Sequence, residues 1–507
     1  MTTKKMTSVI ALAAMSLGLA TAQAQTPTAS APAEKAAAPA LSPTEQWIKD
    51  VKNPAPWFSW GADLRLRSEF SKNMVTLSAG VPRSQQDYFR FRGRVWTSLA
   101  PLDDVSLNAR LAAEPREWMQ PSFTGANGKH SGMEWRYGIV DNLNIKWKNI
   151  LDQPLTLTAG RQDIQLGDPL NWWLVGDGTP GDGSFSFFLD SIRLNLDLKD
   201  AKTTIDAIYI YQNAQPGAWI PTIGRSSNPA GHPLTATLND YYLTEQDEQG
   251  AILYLSNKSI KNTQVDAYFM YKRDNAQYRW GDDANLYTMG SKITGDITAH
   301  WRYSVEGAYQ TGNKRVDRLG TPSSPDREVD AWGLNTRLTY QVKDELQNQF
   351  RLAGEFMSGD DPSSDKNEGF DQLWGRWPRW SELYIYSYIP ETGRVSESGN
   401  IIRFGPGWSI TPAKNFTFST DYYALFADRA FSTDSGGLPP SGASKTSGGA
   451  FGTGTFRGHF LQTVLKYKFS QHVSGHLWGE FLWMGDYYAS ANRDMMTYLR
   501  AELLFTF

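Results

Sequence analysis

Five arginines near the start of the chain stand at alternate positions in two neighbouring stretches. Arg90, Arg92 and Arg94 occupy every second residue, and Arg65 and Arg67 repeat this spacing upstream. In an extended strand, alternate side chains share one face at intervals of about 6.8 Å, so three arginines form a ladder about 13 Å long. Guanidinium groups stay charged at physiological pH and bind carboxylate or phosphate in a bidentate fork. The spacing therefore predicts a surface that binds anions.

More arginines fall on the same predicted face of other strands. They are Arg110, Arg193, Arg302, Arg337, Arg351, Arg403 and Arg500. Rings of arginine or lysine select anions in pores, and interspersed carboxylates such as Glu69, Glu114 and Glu355 would keep an anion from binding too tightly for release. The alternative interpretation is that the charges pair across strands and only fill a wet interior.

The segments that carry these arginines alternate apolar and polar residues. Within 57–70, Leu64 and Leu66 share one face while Arg65 and Arg67 share the other. This period of two predicts strands with one apolar and one charged face. The last segment follows the same pattern and ends on Phe507, which resembles the assembly signal read by the outer-membrane barrel assembly machinery.

The loop lengths distinguish a membrane barrel from a soluble sheet. Strands are predicted near 57–70, 86–100, 103–115, 135–148, 153–163, 185–199, 203–213, 247–257, 263–273, 284–296, 298–311, 329–343, 347–359, 399–411, 415–428, 456–470, 473–485 and 496–507. Short connections alternate with long ones rich in Gly, Ser and Asp, as in bacterial outer-membrane barrels with short periplasmic turns and long extracellular loops. The predicted fold class is all-β, a single transmembrane antiparallel β-barrel of about 18 strands. Tyr384, Tyr386 and Tyr388 would add a nineteenth strand, and the need for an even number assigns them to a loop.

Composition supports this class. The 507 residues are 40% hydrophobic and 13% aromatic, with a net charge of -3. Beyond the N-terminus no apolar run reaches the roughly 18 residues of a spanning helix, and the near-neutral charge argues against binding nucleic acid. The absence of Cys excludes disulfides and thiol chemistry. A barrel of 16–18 strands encloses an aqueous lumen, so the predicted function is that of a channel.

The N-terminus has the features of a bacterial secretory signal peptide. Lys4 and Lys5 precede an apolar core, and Ala22-Gln23-Ala24 forms a small-x-small cleavage site. Residues 1–24 are therefore predicted to be a signal peptide, 25–56 an Ala/Pro-rich periplasmic tether, and 57–507 the barrel. A short helix is predicted to begin at Pro43 within the tether. A periplasmic scaffold would dock on the tether or on the short turns.

Other candidate sites have weaker signals. The tryptophans of the outer loops would stack on sugars, lie in the interfacial girdle, or pack loop against loop; they are Trp172, Trp173, Trp219, Trp280, Trp374, Trp377 and Trp380. Asp-rich stretches at 176–183 and 359–361 would hold Ca²⁺ through oxygen ligands or serve as Gly/Asp turns; no other cofactor is predicted. His472 and His476 share a strand face about 13.6 Å apart, too far to share a metal, and no G-x-S-x-G elbow is present. The chain is therefore predicted not to be an enzyme.

Two stretches resemble the alginate-export family of outer-membrane proteins. Gly160-Arg161-Gln162-Asp163, followed by Gly167-Asp168 and the strand from Phe187 to Leu194, is similar to the family's first motif; 354–360 with 369–373 is similar to its second. The resemblance implies an eighteen-stranded monomeric barrel with an arginine-lined, electropositive pore that exports an anionic uronate polysaccharide, and it adds Arg161 to the pore residues. The chain departs from the family at 374–380, where tryptophans replace the expected Pro and Thr.

These observations predict a channel in the outer membrane of a Gram-negative-type bacterium. Its substrate would be anionic polysaccharide of the uronate type or related carboxylates, moving outward. The alternative is an uptake porin for anionic oligosaccharides or small organic acids. An outer-membrane enzyme or an adhesin is a third hypothesis, which a lumen plugged by folded-in loops would favour. Besides substrate, the predicted partners are outer-membrane lipids, the barrel assembly machinery and a periplasmic scaffold.

Overall fold

The computed structural model describes most of the chain from Ser42 onward. The described residues are 42–74, 85–125, 128–134, 138–166, 188–215, 220, 244, 246–277, 281–316, 326–361, 363–375, 378–388, 391, 399–431 and 451–507. The predicted signal peptide and the first part of the predicted tether lie outside them. Among the described residues, no helix has both the length and the apolar character needed to cross a membrane.

The predicted helix before the first strand is present. Helix α1 spans Pro43–Lys52. Its start is a capping box, in which the Glu45 backbone N–H donates to the Ser42 hydroxyl and the Ser42 N–H donates to the Glu45 carboxylate, both at 3.2 Å. The S-x-x-E spacing therefore fixes where this helix begins.

The described chain forms twenty strands. They are β1 Phe58–Lys72, β2 Gln85–Leu102, β3 Val105–Ala113, β4 Arg116–Gly125, β5 Gly128–Glu134, β6 Ile139–Trp147, β7 Leu155–Gln162, β8 Leu189–Leu198, β9 Thr203–Gln212, β10 Gln246–Asn257, β11 Thr263–Ala276, β12 Asp282–Asp296, β13 Trp301–Val316, β14 Arg327–Gln341, β15 Gln349–Met357, β16 Ile401–Ala413, β17 Phe416–Phe426, β18 Phe456–Lys468, β19 Val473–Met484 and β20 Met496–Thr506. All eighteen predicted strands are confirmed.

Eighteen of these strands form one closed antiparallel ring. β1 pairs with both β2 and β20, so the sheet has no free edge. The order around the ring follows the chain, except that β3 pairs directly with β6. The hairpin of β4 and β5 lies outside the ring and pairs with β2 near Asp87 and Arg90. This hairpin was not predicted, because the sequence between the predicted strands at 103–115 and 135–148 indicates a long loop.

Burial is inverted relative to a soluble protein. Leu64 and Phe89 are 45% and 43% exposed, whereas Arg65 and Arg90 next to them are each 1% exposed. Apolar side chains therefore cover the outside and charged ones face the lumen, as the alternation predicted. In hydrocarbon every backbone N–H and C=O must pair internally, and a closed barrel achieves this.

The C-terminal residue helps to close the ring. The Phe507 backbone N–H donates to the Ala62 carbonyl at 2.8 Å, and its ring lies 5.2 Å from that of Trp60. Aromatic residues of this kind mark the edge of the apolar band in outer-membrane barrels. The terminal phenylalanine thus sits at the seam where the first and last strands meet.

One loop folds into the lumen. Between β15 and β16, residues 378–388 carry the short helix α2 (Leu383–Ser387) and lie against the inner wall. Trp380 packs its ring 5.2 Å from Phe460 on β18 and 5.9 Å from Tyr423 on β17. The three tyrosines at 384–388 belong to this loop, as predicted, but in helical rather than extended conformation. We call residues 378–391 the inward segment, of which 378–388 and 391 are described.

Candidate functional site

The predicted arginine ladders come together on one wall of the lumen. Arg65 lies directly opposite Arg92 across β1 and β2. Arg67 lies opposite Arg90 in the same register. With β20 and β3 on either side, these four neighbouring strands form what we call the arginine wall, consisting of Arg65, Arg67, Arg90, Arg92, Arg94, Arg110 and Arg500.

Glu114 pairs with two guanidinium groups of this wall. The Arg90 guanidinium donates to its carboxylate at 2.6 Å, and Arg65 donates to the other oxygen at 3.4 Å. All three side chains are buried. One carboxylate thus contacts two cations, and the Arg90 guanidinium also lies 3.6 Å from Glu69.

Asp63 and Glu502 have similar roles nearby. The Arg94 Nε donates to Asp63 at 2.8 Å, and the Arg92 Nε lies 3.7 Å from the same carboxylate. Arg67 donates to Glu502 on the adjoining strand at 2.5 Å. The interpretation that lumen charges pair across strands is therefore correct for each arginine of the predicted ladders.

The four strands of the wall carry more arginines than carboxylates. The carboxylates on or directly following the same four strand faces are Asp63, Glu69, Glu114 and Glu502. The other carboxylates that the seven arginines contact come from neighbouring elements: Asp141 and Asp163 pair with Arg110, and Glu382 pairs with Arg500. Guanidinium groups are therefore concentrated on this wall, and rings of arginine select anions in pores.

Arg110 lies at the edge of the arginine wall, and the other predicted arginines are distributed around the ring. Arg193 donates to Asp206 at 2.7 Å, and Arg110 donates to Asp141 at 2.7 Å. Both are therefore held by a carboxylate of the next strand. Arg302 is exposed at the short-turn end of β13.

A second group of predicted arginines lies on β14 to β16. Arg351 donates to Asp421 at 2.9 Å, and Arg403 donates to Glu355 at 3.0 Å. Arg337 is half-buried on the lumen face of β14. These residues do not adjoin the arginine wall, because β17, β18 and β19 separate β16 from β20 in the ring.

Arg161, the residue added by the family motif, lies outside the arginine wall and pairs with a carboxylate of the next strand. Its Nε and a terminal nitrogen donate to the two oxygens of Asp190 at 2.8 and 3.1 Å, and its guanidinium lies 4.0 Å from the Phe188 ring centroid. Gly160 has φ +122, and a Cβ there would lie 2.3 Å from the Leu143 carbonyl oxygen. This irregularity of the backbone turns the side chains of both Arg161 and Gln162 inward. The position before the arginine therefore suits glycine.

Asp190→Asn is expected to destabilise the folded barrel by about 3–5 kcal/mol, because removing one partner leaves a buried, uncompensated guanidinium. Urea titration of the refolded protein in detergent, followed by heat-modifiable electrophoretic mobility, measures the change. Asp200→Asn, in the exposed turn after β8, is the matched control and should behave as wild type. Equal stability of both variants would contradict the structural role of the Arg161–Asp190 pair.

A cluster of carboxylates lies on β11 and β12, across the lumen from the arginine wall. One oxygen each from Asp274, Asp282 and Asp371 lies within 4.8 Å of the others. The Lys314 ammonium lies 3.0 Å from Asp282 and 2.8 Å from Asp371, and Lys272 lies 3.1 Å from Asp274. Two ammonium groups thus already contact all three carboxylates of the cluster.

The pKa of Asp371, in the loop after β15, is shifted by these neighbours. Burial acts to raise the pKa of its carboxyl, but the ammonium groups of Lys314 and Lys272 outweigh burial and leave the pKa below its ordinary value. Among the predicted Ca²⁺ stretches, 176–183 lies outside the described residues. In the other, Asp360 pairs with Arg327 and Asp361 with Arg429, each at 2.9 Å, which favours the turn interpretation.

The inward segment is anchored by a buried carboxylate of β19. Glu480 accepts hydrogen bonds from the Ser381 hydroxyl at 2.8 Å, the Glu382 N–H at 3.0 Å and the Leu383 N–H at 2.7 Å. The Gln462 amide and the Trp478 indole N–H, both at 2.8 Å, complete its shell. The inward segment is therefore attached to β19 mainly through its backbone.

Two ion pairs also join the inward segment to the barrel. Arg500 donates to Glu382 at 2.6 Å, and the Arg457 guanidinium forms a bidentate pair with Glu391, both bonds at 2.8 Å. Sequence reasoning missed Arg457, because simple alternation places it on the lipid face with Leu461. Gly458, with φ +139, interrupts the alternation and turns Arg457 inward.

The described outer-loop tryptophans are not displayed to solvent. Trp374 is fully buried against β10, where Gly250 leaves room for its ring, and Trp380 is buried in the inward segment. Loop packing is therefore the correct interpretation for these two; the other five lie outside the described residues. Burial here also lowers the pKa of Arg379 to about 10 and raises the pKa of Tyr384.

A closed eighteen-stranded barrel with an apolar exterior and an arginine-rich lumen is an outer-membrane channel. The model of the family described as "Alginate export" matches residues 57–502, so the chain belongs to the alginate export family, a family of channels.

The solved structures with a similar fold are distant in sequence. OccAB2 of Acinetobacter baumannii is 11% identical over 88% of this chain and 98% of its own, with a TM-score of 0.52. OpdL of Pseudomonas aeruginosa is 12% identical over 89% and 98%, with a TM-score of 0.50. At this identity the likeness concerns the fold alone. No curated protein sequence matches the chain.

Proposed function

We propose that this channel passes anionic polysaccharide of the uronate type, or related carboxylates, outward across the outer membrane. The arginine wall is the observation that carries the proposal. Its four adjoining strands carry seven arginines and four carboxylates, and guanidinium groups suit carboxylates better than any other cationic side chain.

The direction rests on the outer loops. A channel that captures saccharides from outside benefits from aromatic side chains displayed at its outer mouth. The two outer-loop tryptophans within the described residues, Trp374 and Trp380, are instead buried against the barrel wall, and an exporter needs no outer capture site. Their burial supports export.

Uptake of small organic acids is the second candidate. The inward segment occupies part of the lumen beside β17 to β20, and small solutes pass a narrowed lumen more easily than a polymer does. The same feature would favour an adhesin or an enzyme, but membership in an export family and the arginine wall support transport.

The purified channel in planar bilayers should prefer chloride over potassium in a KCl gradient, because the wall potential repels cations. The preference should weaken as the salt concentration rises, since the Debye length falls from about 10 Å at 0.1 M to about 3 Å at 1 M. The sign of the reversal potential measures this. A reversal potential that indicates no preference, or a preference for potassium, would overturn the anionic assignment.

A further inference from the structure

We propose that Arg457 and Arg500 are two carboxylate-binding subsites for the transported polyanion, and that the inward segment occupies them with its own Glu382 and Glu391 until the polyanion replaces it. This inference rests on the proposed function and names where the substrate's carboxylates bind. The segment is, in this view, a built-in substitute for substrate.

The distribution of charge between wall and loop is the first argument. Arg457 and Arg500 belong to strands β18 and β20 of the closed ring, whereas both carboxylates belong to the loop between β15 and β16. Other ion pairs of the described lumen, such as Arg403–Glu355, join two strands, whereas Lys314–Asp371 also joins a strand to the loop after β15. The sheet holds the backbones of a strand–strand pair in register, whereas a loop can move away from its partner.

The geometry of each pair matches recognition of a free carboxylate. The Arg457–Glu391 pair is bidentate, with both bonds at 2.8 Å. Arg500 donates to Glu382 at 2.6 Å, within the range of charge-assisted hydrogen bonds. A substrate carboxylate would form the same bonds, so the exchange leaves neither buried guanidinium without a counter-charge.

Aromatic rings beside both arginines indicate which carboxylates would fit. The Arg457 guanidinium lies 4.1 Å from the Tyr487 ring centroid, and Arg500 lies 5.2 and 5.8 Å from those of Tyr498 and Trp478. An aromatic face next to a guanidinium accommodates an apolar ring face next to a carboxylate. Each sugar of a polyuronate presents this combination, and an inorganic anion does not.

Glu480 determines what stays in place during the exchange. It binds the segment through a hydroxyl and two backbone N–H groups, all of them neutral donors. A substrate carboxylate cannot replace these contacts, because it is itself an acceptor and has no proton to donate to Glu480. The segment would therefore stay attached near Ser381 while its two glutamates leave their arginines.

The double variant Glu382→Gln/Glu391→Gln tests the inference, with polygalacturonate as the probe. Block of the KCl current by polygalacturonate should occur at about tenfold lower concentration than in wild type, because a charge-assisted bond of the competing loop is worth roughly a factor of ten or more. Glu368→Gln is the control and should match wild type, because this glutamate lies in the same loop and its carboxylate accepts from the Asp361 N–H rather than from an arginine. Equal block in the double variant and wild type would refute the proposal.

A cross-link provides a second test, because the chain has no cysteine. The Ser387 hydroxyl lies 3.4 Å from the Met496 sulfur on β20, so a short bis-methanethiosulfonate reagent should bridge the thiols of Ser387→Cys/Met496→Cys through two reducible disulfides and hold the segment in place. Polygalacturonate block should then be lost and should return on adding dithiothreitol. Block that is insensitive to dithiothreitol, in a cross-linked protein with native electrophoretic mobility, would also refute the proposal.

The two levels of the argument fail separately. If wild type prefers chloride but neither variant alters polygalacturonate block, the subsites are wrong and the proposed function stands. If wild type shows no preference for chloride, the proposed function fails before the subsites are tested.

Discussion

Replacing Arg90, Arg92 and Arg94 with Gln should abolish the anion preference of the channel. The substitution removes three of the seven guanidinium groups of the arginine wall, while the carboxylates that they contact, Asp63, Glu69 and Glu114, remain. Because three positive charges disappear and no negative charge does, the reversal potential in a KCl gradient should fall to near zero. The potential in the lumen follows the summed charge rather than any single contact, so each single replacement should have about a third of this effect.

The control removes the same charge from a different place. Lys199, Lys202 and Lys258 are exposed in the short turns of the barrel, and their replacement with Gln should leave the reversal potential close to that of wild type at 0.15 M salt and above, where exposed charges are screened within about 8 Å. If the turn variant loses the preference and the wall variant keeps it, selectivity lies at the rim and the arginine wall is structural. Heat-modifiable mobility verifies that both variants are folded.

Leu352→Arg should destabilise the barrel by about 2–4 kcal/mol, the cost of a charged side chain on the lipid face near the bilayer midplane. Leu352 lies near the middle of β15 and is 57% exposed, so its side chain contacts acyl chains and has no water to solvate a guanidinium. Urea-dependent refolding into lipid vesicles measures the difference in stability.

Leu352→Phe is the matched control, because it keeps an apolar side chain at the same position and should be tolerated. Its neighbour Arg351 points into the lumen and pairs with Asp421. An arginine is therefore stabilising at the position just before Leu352 in the same strand. Equal stability of Leu352→Arg and Leu352→Phe would mean that this face does not contact lipid, which would contradict the membrane-spanning barrel.

Much of the fold was predictable because a strand has an exact local period. Alternation at residues such as Leu64 and Arg65 identified all eighteen strands and assigned the faces of the predicted pore arginines. Loop lengths then implied the even count and the closed ring. The positions that escaped this reasoning are those where the period breaks. Gly160 turns Arg161 inward, and Gly458 turns Arg457 inward.

The pairing of charges was not predictable from periodicity. Alternation places Arg90 and Glu114 on the lumen face, but which carboxylate meets which guanidinium depends on cross-strand register. The register brings Arg65 beside Arg92 and lets Glu114 reach two cations. The cross-strand register thereby determines that carboxylates neutralise most of the positive charge of the predicted ladders and leave a modest excess.

The sequence by itself determined an eighteen-stranded barrel, its two faces and an arginine-rich interior, because each of these follows from neighbours along one strand. The tertiary structure alone decided that a loop enters the lumen and that Glu382 and Glu391 meet Arg500 and Arg457. These partners are separated by 118 and 66 positions in the chain, and no local pattern encodes a contact that only barrel closure and loop packing bring about.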